Sequence, residues 1–335
     1  MAAGFPGKVI HGGTGKRQRE KTQKKILDFS ASVNPFPPRF EWHIDPEDLS
    51  LYPDDSYNGL KEQIGRAFNR DPDEICVGNG SIEIIRVFCN VVLGRTERTR
   101  YYFLEPPTFG EYELSARLAG AERTDEAEKA DVHFICNPNN PTGTLQRRSD
   151  LLCRLRAIGE HGGILFCDEA FIGLADPAES LADVRDNALF VLHSLTKSFA
   201  VPGLRMGFGF GSPGLVEKIE TARSPWCVNA YAEAFAMEAL LHLDDLARSR
   251  AEIAAERNHL QIAIERMGLS CRPSSANYLL IDCGRAAGPL CATLLRRGIL
   301  VRDCTSFDLA DCIRVAVRTP EENLRLIGAL ESCLH

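Results

Sequence analysis

No stretch of this sequence approaches the ~20 consecutive apolar residues that a membrane-spanning helix needs. The opening segment, MAAGFPGKVIHGG, lacks a long apolar core behind a basic start. No secretory signal is therefore expected. An excess of positive charge is missing too. Lys and Arg number 39 against 46 Asp and Glu, a net charge of −7. That balance recruits neither nucleic acid nor an anionic membrane. Cysteine is plentiful, at 12 residues, yet no C-x-x-C pair occurs. Zinc and iron–sulfur sites want clustered ligands, so no metal is expected. Cys136, Cys167 and Cys283 lie inside apolar runs, where a reduced Cys behaves as a small hydrophobe. A reducing cytoplasm is the expected compartment. Internal repeats and low-complexity segments are also absent. What remains is 335 residues, 44% hydrophobic and 25% charged. This is the composition of an ordinary globular protein of about two domains.

Short apolar runs bounded by turn residues predict strands at Tyr101–Leu104, Val132–Cys136, Ile164–Cys167, Leu189–Leu192 and Met206–Phe210. Helical periodicity lies between them, at Leu60–Phe68, Ile82–Val92, Tyr112–Leu118 and Leu151–Ile158. Such alternation predicts an α/β sheet covered on both faces. Two long helices are expected at Ala230–Leu243 and Leu246–Met267. Strands at Tyr278–Asp282 and Ile313–Val317, with helices at Pro289–Arg297 and Glu321–Leu334, then predict a smaller α+β unit. The basic run from Lys16 through Lys25 reads either as a solvated arm or as a positive rim that attracts an anionic substrate.

Four segments carry chemistry. His193-Ser194-Leu195-Thr196-Lys197-Ser198 follows an apolar strand. A desolvated Lys with a lowered pKa can form a Schiff base, and the flanking hydroxyls with Arg205 can bind a phosphate. The same residues can also be a chance cluster on a surface loop. Ile164 to Cys167 ends in Asp168-Glu169. A carboxylate there can pair with a protonated ring nitrogen, or simply cap a helix. Asn137-Pro138-Asn139-Asn140-Pro141-Thr142-Gly143 is by itself a turn, although an amide in it can donate to a phenolate oxygen. Gly78-Asn79-Gly80-Ser81 opens a helix, whose free N–H groups bind phosphate; a plain Ser N-cap reads the same way.

In their order and wording, GNGS, NPNNPTG, DEAF and SLTKS, with an Arg eight positions beyond the Lys, resemble the fold-type-I pyridoxal-phosphate enzymes of the histidinol-phosphate aminotransferase branch. The resemblance runs from about His11 to the C-terminus. It implies that Lys197 holds pyridoxal 5′-phosphate covalently and that Asp168 pairs with the ring nitrogen. It implies that Asn140 meets the ring hydroxyl and that Phe109 stacks on the ring. Phosphate binding falls on Gly80, Ser81, Ile82, Ser194, Thr196 and Arg205. Tyr52 would reach the phosphate of a neighbouring subunit in a homodimer. The implied fold is a large cofactor domain at 45–225 with a mostly parallel sheet. A small α+β domain at 226–335 would be joined by an N-terminal arm at 1–44.

Within that branch, His11-Gly12-Gly13 and the run from Leu27 through Pro35 look like the N-terminus of L-threonine-O-3-phosphate decarboxylases of cobamide synthesis. Phe171 stands where the aminotransferases usually carry Tyr. Arg314 matches the substrate-carboxylate site, since the planar guanidinium fork suits a carboxylate. Arg318, four positions on, would share its strand face, and a surface ion pair is its plainer reading. His11 and Asn34 complete the expected substrate set. Decarboxylation of threonine phosphate is therefore the expected reaction. A transaminase for histidinol phosphate or an aromatic amino acid is the alternative. A cofactor-binding protein that has lost catalysis is a third, against which the retained Lys197, Asp168 and Arg314 speak.

Overall fold

The computed structural model describes residues 5–23 and 25–334. Lys24 of the basic run lies outside them. The strands in chain order are β1 (Leu27–Asp28), β2 (Ile75–Asn79), β3 (Tyr101–Leu104), β4 (Glu122–Arg123), β5 (Val132–Cys136), β6 (Ile164–Asp168), β7 (Leu189–Ser194) and β8 (Met206–Phe210). They continue with β9 (Ser270–Cys271), β10 (Tyr278–Asp282), β11 (Ile299–Leu300), β12 (Arg302–Asp303) and β13 (Cys312–Ala316). The helices are α1 (Gly15–Thr22), α2 (Asn58–Phe68), α3 (Ser81–Leu93), α4 (Glu111–Ala119), α5 (Arg148–Glu160) and the single turn α6 (Leu195–Ser198). Then come α7 (Pro213–Ala222), α8 (Ala230–Ala239), α9 (Leu246–Arg266), α10 (Ala287–Arg296) and α11 (Pro320–Leu334).

Seven strands form the main sheet, in the order β2-β8-β7-β6-β5-β3-β4. Neighbours from β7 through β4 run parallel. Only β8 opposes its two neighbours. The inner strands are buried along nearly their whole length, β7 and β8 at every residue. That is why they read as continuous apolar runs rather than alternating ones. One apolar cluster packs Leu151, Leu155, Leu165, Val191 and Phe208 together, while a separate one gathers Ile85, Phe88, Tyr102, Phe166 and Phe190. The sheet is thus covered on both sides.

A four-stranded antiparallel sheet, β12-β13-β10-β9, carries the second layer, with α9, α10 and α11 packed against it. The N-terminal segment belongs to this layer by hydrogen bonding. β1 pairs in parallel with β11, and Leu27 and Phe29 are buried in its core.

From Lys16 to Thr22 the basic run lies in α1, two turns of helix on which Lys16, Arg17, Arg19 and Lys21 are exposed. One boundary and one strand differ from expectation. The helix from Ala230 ends as α-helix at Ala239 and tightens to a 3-10 turn at Leu240–His242. β2 was not anticipated, because Gly78 and Gly80 give its C-terminal half the look of a turn; its pairing with β8 supplies the missing hydrogen bonds.

Candidate active site

The parallel strands β3, β5, β6 and β7 end at one edge of the sheet, which is where open α/β sheets gather their functional loops. Asp168 is the last residue of β6 and is buried. Its Oδ2 accepts from the Tyr112 hydroxyl at 2.7 Å, and its Oδ1 from the Ala170 N–H at 2.9 Å. Burial raises its pKa, and these two donors oppose the shift. Tyr112 is held well above the ordinary phenol range, first by burial and then by the Asp168 charge. Its ring meets that of Phe109 edge-on at 5.5 Å.

Lys197 lies in the single turn α6 beyond β7, its Nζ 5.8 Å from the Phe171 ring centroid. Burial brings its pKa down to about 8, helped by Arg314 and Arg205 and opposed by Asp168. The Asn34 N–H donates to the Lys197 carbonyl at 2.9 Å and fixes the turn from outside.

Around this Lys stands an anion cradle. Gly80 has φ +72°, and a Cβ there would stand 2.3 Å from Arg205 Nη2. A Cβ on Gly207 would stand 2.5 Å from the Ser81 nitrogen. The two glycines let the guanidinium and the start of α3 close on the same space. No side chain caps α3, so the amides of Ser81 and Ile82 point toward an anion. The Ser194 and Thr196 hydroxyls lie 2.8 Å apart beside them. Arg205 itself holds a left-handed φ of 63°, a conformation that costs energy in a non-glycine residue and clusters at functional sites.

A second cationic corner sits across from the cradle. Buried Arg314 donates through Nη1 to the Asn140 amide oxygen and through Nη2 to the Ser30 carbonyl at 3.1 Å. Its guanidinium lies over the Tyr278 ring at 5.0 Å, and its Nε has no partner. Arg302 is the direct cross-strand partner of Arg314. It donates to the Ile10 carbonyl and to Ser306 Oγ, both at 2.6 Å. Neither guanidinium has a carboxylate within ion-pair distance among the described residues.

The other expected contact residues have partners within the chain. Arg318 is engaged by both Glu322 oxygens, at 2.8 and 3.0 Å, and by the Asp28 carbonyl. It braces the N-terminal segment instead of facing the cleft. The Asn34 amide is fully used, donating to the Ser198 carbonyl and Ser249 Oγ and accepting from the Phe36 N–H. It holds the Lys197 turn in place. His11 contacts Glu111 at 2.8 Å, with its ring 5.9 Å from Phe109, so the arm crosses the mouth of the site. Tyr52 is 80% exposed and its ring meets that of exposed Trp226 at 4.6 Å, tilted by 33°; within one chain it stands on the surface.

Residues 24–330 match the family model described as aminotransferase class I and II. The chain belongs to this family. A histidinol-phosphate aminotransferase of Symbiobacterium thermophilum is 34% identical over 304 residues, 85% of this chain and 83% of the relative. A putative threonine-phosphate decarboxylase of Caldanaerobacter subterraneus subsp. tengcongensis is 33% identical over 328 residues, 90% and 88% of the two chains. Among solved structures, histidinol-phosphate aminotransferase from Sinorhizobium meliloti in complex with pyridoxal-5′-phosphate superposes with a TM-score of 0.83 at 19% identity, covering 99% of this chain and 95% of that one. The expected fold-type-I, aspartate-aminotransferase-like architecture is therefore the one observed.

Class I and II aminotransferases work with pyridoxal 5′-phosphate, and the residues present fit that group. The cradle suits a phosphate, the Asp168 carboxylate a ring cation and Phe109 a ring face. Lys197 has the lowered pKa that carbonyl capture asks for. Three residues of the site escaped the sequence reading: Tyr112, Tyr278 and Arg302. Tyr112 lies in the first turn of α4 and Phe109 just before that helix, so the two are close in the chain, but no residue signature marks the phenol as a partner of Asp168. Tyr278 and Arg302 lie in the second layer, far along the chain, and carry no local signal.

Proposed function

We propose that this enzyme decarboxylates L-threonine O-3-phosphate to (R)-1-amino-2-propanol O-2-phosphate, a step of cobamide synthesis. When bound, the cofactor ring supplies an electron sink for a bond broken at the substrate's α-carbon. Lys197 anchors the ring and moves protons at that carbon. Asp168, oriented by Tyr112, keeps the ring nitrogen protonated. Gly80, Ser81, Ile82, Ser194, Thr196 and Arg205 hold the cofactor phosphate, and Phe109 and Asn140 fix the ring. Which bond breaks depends on how the substrate's ends are anchored.

The observation that carries this reading is the Arg302–Arg314 pair. Directly opposed residues of antiparallel strands stand about 5 Å apart. Two arginines at opposed strand positions, neither with a carboxylate within ion-pair distance among the described residues, match a compact substrate with two anionic ends. Threonine phosphate has its carboxylate and phosphate on adjacent carbons; histidinol phosphate has no carboxylate. The arm, through Ile10 and His11, roofs the same corner. Phe171, which has no hydroxyl to give the ring, and the 33%-identical relative named as a putative threonine-phosphate decarboxylase support the same assignment. The S. thermophilum relative favours the alternative, transamination of histidinol phosphate. Supplying threonine phosphate to the loaded enzyme should release carbon dioxide and an aminopropanol phosphate. Glutamate formed from histidinol phosphate and 2-oxoglutarate, with no carbon dioxide from threonine phosphate, would overturn the proposal.

The active form is read as a homodimer in a reducing cytoplasm. Tyr52 and Trp226 form an exposed aromatic pair beside Leu49 and Leu51, a patch that suits a second copy of the chain. From there Tyr52 donates to the partner's cofactor phosphate. A hydrogen bond to a charged group contributes about 1.5–3 kcal/mol. Tyr52→Phe is expected to weaken cofactor binding about tenfold or more, read by fluorescence titration. A fully active monomer in sedimentation would contradict the arrangement.

A further inference from the structure

Successive residues of a strand face opposite ways. Asp168 and Ser194 face the cofactor cradle. Their neighbours Glu169 and His193 meet at 3.0 Å on the other side, where they line a cavity of about 520 Å³. Pockets of that size take small ligands, with a few polar groups set in apolar walls.

At one end, Arg250 donates to the Gly173 carbonyl at 3.2 Å. A Cβ on Gly173 would stand 3.0 Å from Ser198 Oγ and 3.7 Å from Leu246 Cδ1. Arg250, Ser198 and Leu246 thus all border Gly173 and line the same end of the cavity. Among the described residues Arg250 has no carboxylate within ion-pair distance; Asp176 and Asp244 act on it only across space. Ser198 is buried, and its hydroxyl makes no hydrogen bond among the described residues. At the far end the His193 ring stacks on Phe208 at 5.5 Å, its Nε2 engaged by Glu169.

Glu169 offers a ligand nothing further. Its oxygens are taken by the Leu181 N–H at 2.7 Å, by the Ser180 hydroxyl and by His193. The cavity's other charged residues, Arg148 and Asp183, pair with each other at 2.6 and 3.1 Å, so the charged group left without an ion-pair partner is the Arg250 guanidinium, and Leu243, Leu246 and Phe208 supply apolar wall.

We propose that this cavity binds a small monocarboxylate with an apolar body. The carboxylate sits on the Arg250 guanidinium and the Ser198 hydroxyl, and the body lies against Leu243, Leu246 and Phe208. Guanidinium–carboxylate pairing supplies the orientation. Ser198 follows Lys197 directly, and its carbonyl accepts from Asn34 at 2.7 Å. Occupancy therefore bears on the turn that carries Lys197 without entering the substrate corner. This site is independent of which reaction the enzyme performs.

The test is calorimetric titration of the cofactor-loaded protein with hexanoate, and with hexanamide as the uncharged control. One saturable site per chain is expected for hexanoate, with hexanamide at least tenfold weaker. Arg250→Met should weaken hexanoate tenfold or more while leaving the cofactor's visible absorbance unchanged. Arg250→Lys should recover part of the affinity. Arg314→Met should leave hexanoate binding intact. Absence of saturable binding, equal affinity for the amide, or affinity lost with Arg314→Met but kept with Arg250→Met would each overturn the proposal.

Discussion

Lys197→Ala is expected to fold and to bind the cofactor reversibly, while turnover falls by at least about 10⁴-fold. On the proposed assignment two functions leave with one side chain, the covalent anchor and the proton carrier, and acid–base catalysis alone contributes roughly 10²–10⁴. The phosphate cradle does not involve the Lys197 ammonium, so cofactor affinity survives in part. Borohydride followed by intact-mass measurement checks the assignment: the wild type should gain the mass of the reduced cofactor, and the variant should not. A covalent adduct in the variant would assign the anchor to another Lys. The pH dependence follows from the same environment. Burial, then Arg314 and Arg205, hold Lys197 at about 8 against an ordinary 10.5. Loading of cofactor-free protein should quicken as pH rises through about 8, because the neutral amine is the nucleophile. Between about 8 and 10.5 the unfolded chain binds more protons at this Lys than the folded one. The stability of the cofactor-free protein therefore gains from this group as pH rises across that window.

Asp168→Ala should lower turnover by about three orders of magnitude, ~4 kcal/mol of transition-state stabilisation. In the proposed role the buried Asp168 carboxylate favours a cationic ring nitrogen, and nothing else on β6 replaces it. The same change strands the Tyr112 hydroxyl and the Ala170 N–H, which costs roughly 1–3 kcal/mol of folding stability. Tyr112→Phe separates the two effects. It removes one donor to Asp168 and leaves the charge, so turnover should fall about tenfold or less while the visible spectrum and its pH dependence shift. Near-normal turnover of Asp168→Ala, measured on fully loaded protein, would remove Asp168 from the chemistry.

Much of the main sheet is legible because each buried parallel strand is a closed apolar run and each ends in a turn with its own residue signature. Tyr101–Leu104, Val132–Cys136 and Met206–Phe210 coincide with strands of the structure residue for residue. β2 was not, since glycines that serve the anion cradle also erase its strand pattern. The cradle residues follow the same rule of locality, as Gly80, Ser81 and Ile82 neighbour one another in the chain. So do Ser194, Thr196 and Lys197.

Roles that depend on a distant partner divide differently. Arg314 and Arg318 look alike in sequence, on one strand with even spacing. Packing separates them, because Glu322 four positions on claims Arg318, while Arg314 donates to Asn140 and Ser30 and has no carboxylate within ion-pair distance among the described residues. Asn34 looks like a ligand until Ser198, 164 positions away, takes its amide. The sequence by itself determined most element types, the family resemblance and with it the cofactor class, because those depend on short-range pattern and on residue type. Only the tertiary structure decided which guanidiniums stay unpaired, that Tyr112 completes Asp168, and that Arg302 stands beside Arg314. A charge is free or neutralised according to what folding brings within about 4 Å of it, and that is a property of packing between segments far apart in the chain.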